Sequence, residues 1–221
     1  MEVLLKLNNV CKNFKNKVIL HDVNLEIVKG NSYGFTGYNG CGKSVLFKLI
    51  CGMSLPTSGE IYYKDKLLGS DLDFIQNAGV IIESPEFIPY YTGFKNLKTL
   101  AEIKGDVTDA EIDEVLKAVN LYDEKDKKVR AYSQGMKQRL RIAQAIMEKP
   151  EILILDEPTN YLDKDGVAIL RNILTNFTQS GGTLLLTSHN KDDIDTLCKD
   201  VYQIDNGTVE LINGQVTQED T

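Results

Sequence analysis

Residues 37–44 read GYNGCGKS and match the pattern GxxxxGK[ST]. The apolar run SYGFTG at residues 32–37 leads into this loop, and KSVLFKLI at residues 43–50 follows it with helical spacing. In a strand-loop-helix unit, glycines let consecutive backbone N–H groups surround phosphate oxygens, and the helix N-terminus adds partial positive charge. The stretch therefore predicts a phosphate-binding loop in an α/β fold rather than a plain glycine turn.

Each residue type in this loop has an expected contact. Lys43 should reach the β- and γ-phosphates of a nucleotide, and the Ser44 hydroxyl should bind Mg²⁺. The helix after the loop should pack through one face, formed by Val45, Leu46, Leu49 and Ile50. Further contacts to the nucleotide are assigned to Gly37, Asn39, Gly40, Cys41, Gly42 and Val45.

An acidic pair ends a second apolar run. Residues 151–158 read EILILDEP, so a buried strand would finish in Asp156 and Glu157. Ligands bind at the carboxyl ends of strands in parallel sheets. We therefore expect Asp156 in the shell of Mg²⁺, and Glu157 to orient and deprotonate a water for attack on the γ-phosphate. Alone, such a pair could simply cap nearby N–H groups.

A GTPase is the first alternative, because residues 190–193 read NKDD, a literal NKxD, and residues 163–166 form a DxxG. The spacing argues against it, since this DxxG follows no apolar strand and lies far from the phosphate loop but close to NKxD. We instead expect Asn190 to cap a helix whose N-terminus is stabilised by Asp192 and Asp193.

The bulk composition excludes several classes of protein. The chain has 221 residues, 42% hydrophobic and 26% charged, which is enough for a sizeable core. Its net charge of −7 argues against nucleic acid as the main ligand. No apolar run approaches the roughly 18–20 residues that span a bilayer, and the start shows no secretory signal. Four cysteines without ligand spacing and two histidines predict reduced cytosolic thiols and no histidine-rich metal centre.

The hydrophobic pattern predicts two kinds of sheet. Residues 3–28 alternate apolar and polar side chains, as expected for antiparallel strands. The continuous apolar runs ILIL at residues 152–155 and TLLL at residues 183–186 are typical of a parallel sheet covered on both faces. The expected fold is a P-loop NTPase core with a mostly parallel sheet and an antiparallel β subdomain.

A helical pattern interrupts this α/β core, and it includes a capping box that begins at Thr108. We predict a single domain over residues 1–221. Its catalytic core comprises residues 1–87 and 150–221, and an inserted helical lobe covers residues 88–149.

Together the motifs resemble the nucleotide-binding subunits of ABC (ATP-binding cassette) transporters. The phosphate loop, YSQGMKQRL, LILDEPTNYLD and LLLTSH occur in the family's order, and the resemblance covers nearly the whole chain. It implies ATP and Mg²⁺ as ligands, ATP hydrolysis, a second nucleotide-binding subunit in a homodimer, and separate transmembrane permease subunits. The protein would then lie in the cytoplasm, on the membrane face. IIESPEF and YSQGMKQRL are similar to exporters of the bacitracin-resistance and lantibiotic-immunity type.

The resemblance assigns four further site residues. Phe14 stands where the family has an adenine-stacking aromatic, although it could also be a core residue of the first hairpin. Glu83 falls at the Q-loop, where most members have Gln, and is assigned to nucleotide and metal unless it is a surface acid. Asp163 matches the D-loop, with altered neighbours. His189 matches the switch histidine that contacts the γ-phosphate.

YSQGM at residues 132–136 stands where the family has LSGGQ, and only Ser133 and Gly135 match. The resemblance implies that both face the γ-phosphate bound by the partner subunit, with Ser133 also capping the following helix. A plain N-capped helix is the simpler alternative, but it leaves the glycine unexplained.

Two other functions remain open at this stage. A soluble mechanical ATPase of repair or assembly would carry long coiled coils or a second cassette, and the chain shows neither. A nucleotide-sensing module without turnover would not need Glu157. In the transporter interpretation, the helical lobe and the Glu83 loop should face the permease. The transported substrate and the direction of transport are not specified by the motifs.

Overall fold

Two β-sheets and a group of helices make up the chain in the computed structural model. The structure describes residues 2–15, 17–83, 86–105 and 107–214. The predicted domain boundaries at the two chain ends lie outside these residues, as do two residues of the IIESPEF stretch.

The described residues contain ten strands and six α-helices. The strands are β1 (Val3–Phe14), β2 (Lys17–Val28), β3 (Ser32–Thr36), β4 (Ser58–Tyr63), β5 (Lys66–Leu67), β6 (Ala78–Ile81), β7 (Ile152–Asp156), β8 (Thr183–Thr187), β9 (Asp200–Asp205) and β10 (Thr208–Asn213). The α-helices are α1 (Lys43–Ile50), α2 (Gly93–Lys104), α3 (Asp109–Ala118), α4 (Gln134–Ile146), α5 (Lys164–Gln179) and α6 (Lys191–Leu197). Two short 3₁₀ helices cover Tyr122–Glu124 and Val129–Ala131.

The first sheet is antiparallel and has the strand order β2-β1-β4-β5. Its alternating sequence explains the arrangement, because β1 buries Leu5 and Leu7 while Lys6 between them faces solvent. The prediction of antiparallel strands over residues 3–28 and of an antiparallel β subdomain is confirmed.

The second sheet has the order β10-β9-β3-β8-β7-β6. All neighbouring pairs from β9 to β6 are parallel, and only β10 is antiparallel to its neighbour. The prediction of a mostly parallel sheet is therefore confirmed, and β7 and β8 are buried along their apolar runs. This order brings the carboxyl ends of β3, β8 and β7 side by side.

Helix α1 packs differently from the expected single face. Leu46, Leu49 and Ile50 are buried as predicted, but Phe47 is buried as well, and Val45 is only half-buried. The reason is that α1 shares one core with residues of both sheets, so more than one side of the helix is covered. Phe47 packs edge-on against Phe35 of β3 with ring centroids 5.4 Å apart.

Helices α2, α3 and α4 lie within residues 88–149 and share buried side chains such as Leu97, Ile112 and Leu140. The predicted capping box at the start of α3 is present, with Thr108 and Glu111 bonded reciprocally. Helix α4 also packs against β6 of the parallel sheet, so it belongs to both halves of the molecule. The division into core and lobe therefore stays an interpretation. Among the described residues, no helix combines the length and apolar character needed to cross a membrane.

Candidate functional site

The predicted phosphate loop connects β3 to α1. Gly37 has φ 149°, and a Cβ there would lie 2.5 Å from the Ile204 carbonyl oxygen, so only glycine fits. The Lys43 ammonium donates to the carbonyls of Gly37 at 2.8 Å and Tyr38 at 3.2 Å, and the side chain is nearly buried. The Lys43 side chain thus folds back onto the loop whose bound phosphates it is predicted to contact.

The other loop residues divide into an outer rim and an inner base. Asn39 and Gly40 are exposed, whereas Cys41 and Gly42 are buried beneath them. Val45 lies half-buried in the first turn of α1. The rim leaves backbone groups open to a ligand, and the base packs the loop against the sheet.

Three side chains meet at the ends of β7, β8 and α1. The Ser44 hydroxyl donates to Asp156 Oδ2, and the Thr187 hydroxyl donates to Asp156 Oδ1 at 2.7 Å. Thr187 Oγ1 in turn accepts the Glu157 N–H at 2.9 Å. The sequence motifs therefore converge as predicted, and Thr187 joins them without having been predicted.

Glu157 is held in an unusual position. Its backbone has φ 51°, a left-handed conformation that costs a non-glycine residue roughly 1–2 kcal/mol. The His189 backbone N–H donates to Oε2 at 3.1 Å, and His189 Nε2 lies 3.3 Å from Oε1. Oε1 is buried and accepts no hydrogen bond from the described residues. Burial raises the pKa of the Glu157 carboxyl, and the opposing influence of His189 and Lys43 is smaller.

Phe14 is not a core residue, because its side chain is 51% exposed at the end of β1. Lys12 Nζ lies 5.0 Å from the ring centroid. On the paired strand β2, Ile19 and Leu20 lie against Gly42 of the phosphate loop. The hairpin that carries Phe14 thus contacts the phosphate loop through Ile19 and Leu20, and the adenine-stacking role of the exposed ring stays a prediction.

Glu83 is exposed and has φ 59°. Its carboxylate forms an ion pair with Lys48. Lys48 is one helical turn beyond Ser44 on α1, so the pair lies on the same side of that helix as the Ser44–Asp156 contact. Glu83 therefore contacts a lysine that lies beside the predicted metal position. The assignment of Glu83 to the metal and the nucleotide stays a prediction.

Ser133 caps α4, as expected, by accepting the Met136 N–H at 3.1 Å. It is exposed and Gly135 is half-buried. A Cβ at Gly135 would lie 3.0 Å from the Tyr161 carbonyl oxygen. Close packing within the chain therefore explains why a glycine stands at this position. The backbone that it approaches belongs to the loop after Glu157 of the same chain.

The two motifs that suggested a GTPase have local structural roles. Asp163 caps α5 by accepting the Gly166 N–H at 2.9 Å, and it also accepts a hydrogen bond from Arg139 at 2.8 Å. These two donors hold the pKa of Asp163 below its usual range. Asn190 caps α6 by accepting the Asp192 N–H at 3.0 Å. Neither motif is free to read a guanine.

Asp193 lies in the first turn of α6, as expected, but it also has buried contacts that the sequence did not indicate. It is 0% exposed, because its carboxylate is enclosed by Arg171, Ser188 and Thr159. Asp192 is the exposed acid of this turn, and its negative charge is stabilised by the helix dipole. Local sequence could not show this difference, since both acids occupy the first turn of the same short helix.

The family of the protein is identified by sequence comparison, independently of the site geometry. Residues 20–160 match the sequence model of the ABC transporter family. The chain belongs to this family. It is an ATP-binding and ATP-hydrolysing subunit of the kind that powers a separate membrane permease.

The sequence is also similar to those of individual ABC proteins over most of its length. The uncharacterized ABC transporter ATP-binding protein YybJ of Bacillus subtilis (strain 168) is 38% identical over 99% of this chain and 100% of its own length. The lantibiotic transport ATP-binding protein SrtF of Streptococcus pyogenes is 35% identical over 94% of this chain and 90% of its own. The bacitracin transport ATP-binding protein BcrA of Enterococcus faecalis is 36% identical, and the match spans 89% of this chain but 65% of that protein.

The fold agrees with solved ABC cassettes. A dimeric bacterial ABC transporter cassette superimposes with a TM-score of 0.85 and 25% identity, over 96% of this chain and all of the other. The α/β fold with a P-loop and a mixed, mainly parallel sheet is therefore that of an ABC ATPase.

Proposed function

We propose that the phosphate loop, Asp156, Glu157 and His189 form the ATP hydrolysis site of this subunit, and that it drives an exporter. The observation that carries the site is the Glu157 carboxylate. It lies against His189 at the end of a buried strand, and one of its oxygens is buried and accepts no hydrogen bond from any residue that the structure describes. A carboxylate with raised pKa and a free oxygen is suited to accept a proton.

The loop and its lysine would bind the phosphates. The backbone groups at the exposed rim, Asn39 and Gly40, are available to phosphate oxygens. Lys43 would exchange its two loop carbonyls for the β- and γ-phosphates, which are stronger partners for a cation. His189 would contact the γ-phosphate from the end of β8.

The residues present fit Mg²⁺. Ser44 Oγ and Asp156 Oδ2 are hard oxygen donors in direct contact, which is the kind of incomplete set that Mg²⁺ uses together with water and phosphate oxygens. The described residues contain no group of three His, Cys, Asp or Glu side chains that could hold a metal by themselves. When bound, the ion would neutralise charge that develops on the phosphates.

The attack itself depends on the chain's own groups. Glu157 Oε1 would take the proton of the attacking water, and the raised pKa of Glu157 makes that oxygen more basic than a surface carboxylate. The His189 N–H at Oε2 keeps the carboxylate in one orientation.

A second copy of the chain would complete the site. Ser133 is exposed at the N-terminus of α4, where its hydroxyl and nearby N–H groups suit an anion. The match to a dimeric cassette supports association of two such subunits. In this arrangement Ser133, Gly135 and Asp163 of one copy would face the phosphate loop of the other.

The membrane partner would bind beside Glu83. A cavity of about 390 Å³ there is lined by apolar side chains, among them Met53, Ile82, Leu100 and Ile103. Met53 and Ile103 are largely exposed, which favours burial by a partner. We propose that a permease at the cytoplasmic membrane face covers this groove. The names of BcrA and SrtF, which specify bacitracin and lantibiotic transport, support an antimicrobial peptide as the transported substrate of the proposed exporter.

One comparison of variants tests the site. Asp156→Asn should keep ATP binding, measured with a fluorescent nucleotide, and lose Mg²⁺-dependent turnover. Asp165→Asn, an exposed acid in the first turn of α5, is the matched control and should behave as wild type. Normal turnover by Asp156→Asn would overturn the assignment.

The exporter is tested by co-expression with a transmembrane protein, if the reading frames next to that of this chain encode one. The pair should co-purify and raise resistance to bacitracin or a lantibiotic, and Glu157→Gln should abolish the resistance. Co-purification without any change in resistance would remove the peptide cargo but leave the ATPase assignment intact.

A further inference from the structure

Asp193 of α6 connects the two loops that carry Glu157 and His189. The carboxylate is 0% exposed. Its Oδ1 accepts the Arg171 Nε–H at 2.8 Å and also contacts the Arg171 Nη2 group. Its Oδ2 accepts the hydroxyl hydrogens of Ser188 at 2.9 Å and Thr159 at 3.2 Å. Both oxygens of this buried charge are therefore fully used by donors from three different segments.

The position of two of these donors matters most. Ser188 directly precedes His189, and Thr159 follows Glu157 by two residues. Ser188 Oγ also accepts the Asn190 N–H at 3.1 Å, so its own hydrogen is left to point at Asp193. One carboxylate thus holds the backbone next to each member of the pair.

Core stability alone does not account for this ion pair. A buried ion pair can often be replaced by apolar residues of similar volume without loss of stability, because both charges must be removed from water. Ile194 and Leu197 on the same helix already pack into an apolar core. A buried charge is better explained by a need for one defined geometry, and here that geometry is the contact between two loops.

We propose that Asp193 is a positioning residue that holds His189 against Glu157 through Ser188 and Thr159. Arg171 balances the charge and keeps the carboxylate in place. The inference rests on the proposed roles of Glu157 and His189. It adds a residue that does not touch ATP but determines whether the groups that do are aligned.

Two substitutions separate positioning from stability. Asp193→Asn should reduce kcat by roughly 10–100-fold and leave the KM for ATP unchanged, because displacement of a reacting group by about 1 Å can cost that much. It should also lower the unfolding temperature, since the partly buried Arg171 loses the charged partner that it contacts. Adding Arg171→Met removes that charge and should restore the unfolding temperature but not kcat. Recovery of kcat together with stability would show a merely structural role.

A second variant leaves the ion pair in place. Ser188→Ala combined with Thr159→Val keeps Arg171 and Asp193 together but removes both bonds to the loops. It should lose kcat like Asp193→Asn with a smaller loss of stability. Normal kcat in this variant would overturn the proposal.

A spectroscopic measurement makes the test independent of activity. The chain has two histidines, His21 and His189, so its imidazole NMR spectrum is simple to assign. Asp193→Asn should move the His189 signal and leave the His21 signal in place. If Glu157→Gln keeps full turnover while the His189 signal still moves in Asp193→Asn, the catalytic assignment fails but the positioning survives. An unmoved His189 signal would refute the positioning itself.

Discussion

The imidazole Nε2 of His189 lies 3.3 Å from Oε1 of Glu157, while the backbone N–H of the same histidine donates to Oε2 at 3.1 Å. Both contacts come from the segment that follows β8, and the acid comes from the segment that follows β7. The two strands are neighbours in the parallel sheet, so the pairing is a direct result of strand order. It joins two residues that are 32 positions apart in sequence.

Replacement of the acid should separate binding from chemistry. Glu157→Gln keeps the size of the side chain but removes its basicity, so ATP should still bind while turnover falls roughly 10²–10⁴-fold. Glu210→Gln, an exposed position on β10, is the matched control. Phosphate release and nucleotide titration on the same samples measure both quantities. Near-normal hydrolysis by Glu157→Gln would remove this residue from the role of base.

The same substitution should affect stability in a pH-dependent manner. The pKa of Glu157 is raised in the folded state, mainly by burial, so the folded chain holds this proton more tightly than the unfolded chain does. Stability from this group is therefore present below the unfolded value of about 4.5 and is lost as pH rises through the folded pKa. Above the folded pKa the ionised carboxylate is destabilising.

Glu157→Gln should accordingly unfold at an equal or higher urea concentration than wild type at pH 7. The difference between the two proteins should shrink as pH falls towards the unfolded pKa. Urea titrations at a series of pH values measure this. A variant that is clearly less stable than wild type at pH 7 would show that the carboxylate is stabilised by contacts stronger than its burial.

Much of the fold could be predicted because it depends on local periodicity. Apolar and polar residues alternate in β1 and β2, which indicates strands covered on one face. The continuous apolar runs of β7 and β8 indicate strands covered on both faces. The motif residues of the site were also found, because the ends of neighbouring parallel strands must lie together.

The remaining features depend on neighbours that are distant in sequence. Phe47 is buried because two sheets enclose α1, and Asp193 is buried because α5 supplies Arg171. The ion pair of Glu83 with Lys48 and the packing of Gly135 against the loop after Glu157 have the same origin. The two partners of each contact lie too far apart in sequence for a local pattern to include both.

The exposed ring of Phe14 should act on nucleotide affinity and not on folding. Phe14→Ala should weaken ATP binding by about 1–3 kcal/mol, the usual contribution of base–aromatic stacking. GTP should weaken similarly, because a ring face does not distinguish purine edges. Phe74→Ala removes a similarly exposed ring elsewhere and should leave affinity unchanged. Isothermal titration measures the effect, and unchanged ATP affinity in Phe14→Ala would assign the stacking to another residue.

Ser133 is predicted to complete the nucleotide site of a second copy of the chain. Ser133 caps α4 and is exposed, and its neighbour Gly135 packs against the Tyr161 carbonyl of the same chain. Ser133→Asp keeps a good helix cap but places a negative charge against phosphate, so it should be inactive in a shared site. Lys43→Ala should be inactive because the phosphates lose their cation. Neither change should unfold the protein, which circular dichroism can verify.

Mixing the two inactive proteins should restore activity if Ser133 of one copy completes the site of the other. In the mixed dimer, one site then joins an intact Lys43 to an intact Ser133, and the other site carries both lesions. A site completed within one chain could never recover in this mixture. Because turnover can require both sites, concentration dependence is the second measurement: wild-type specific activity should rise from nanomolar to micromolar protein as dimers form. Flat specific activity, with ATP-loaded Glu157→Gln eluting as a monomer from a sizing column, would refute the shared site.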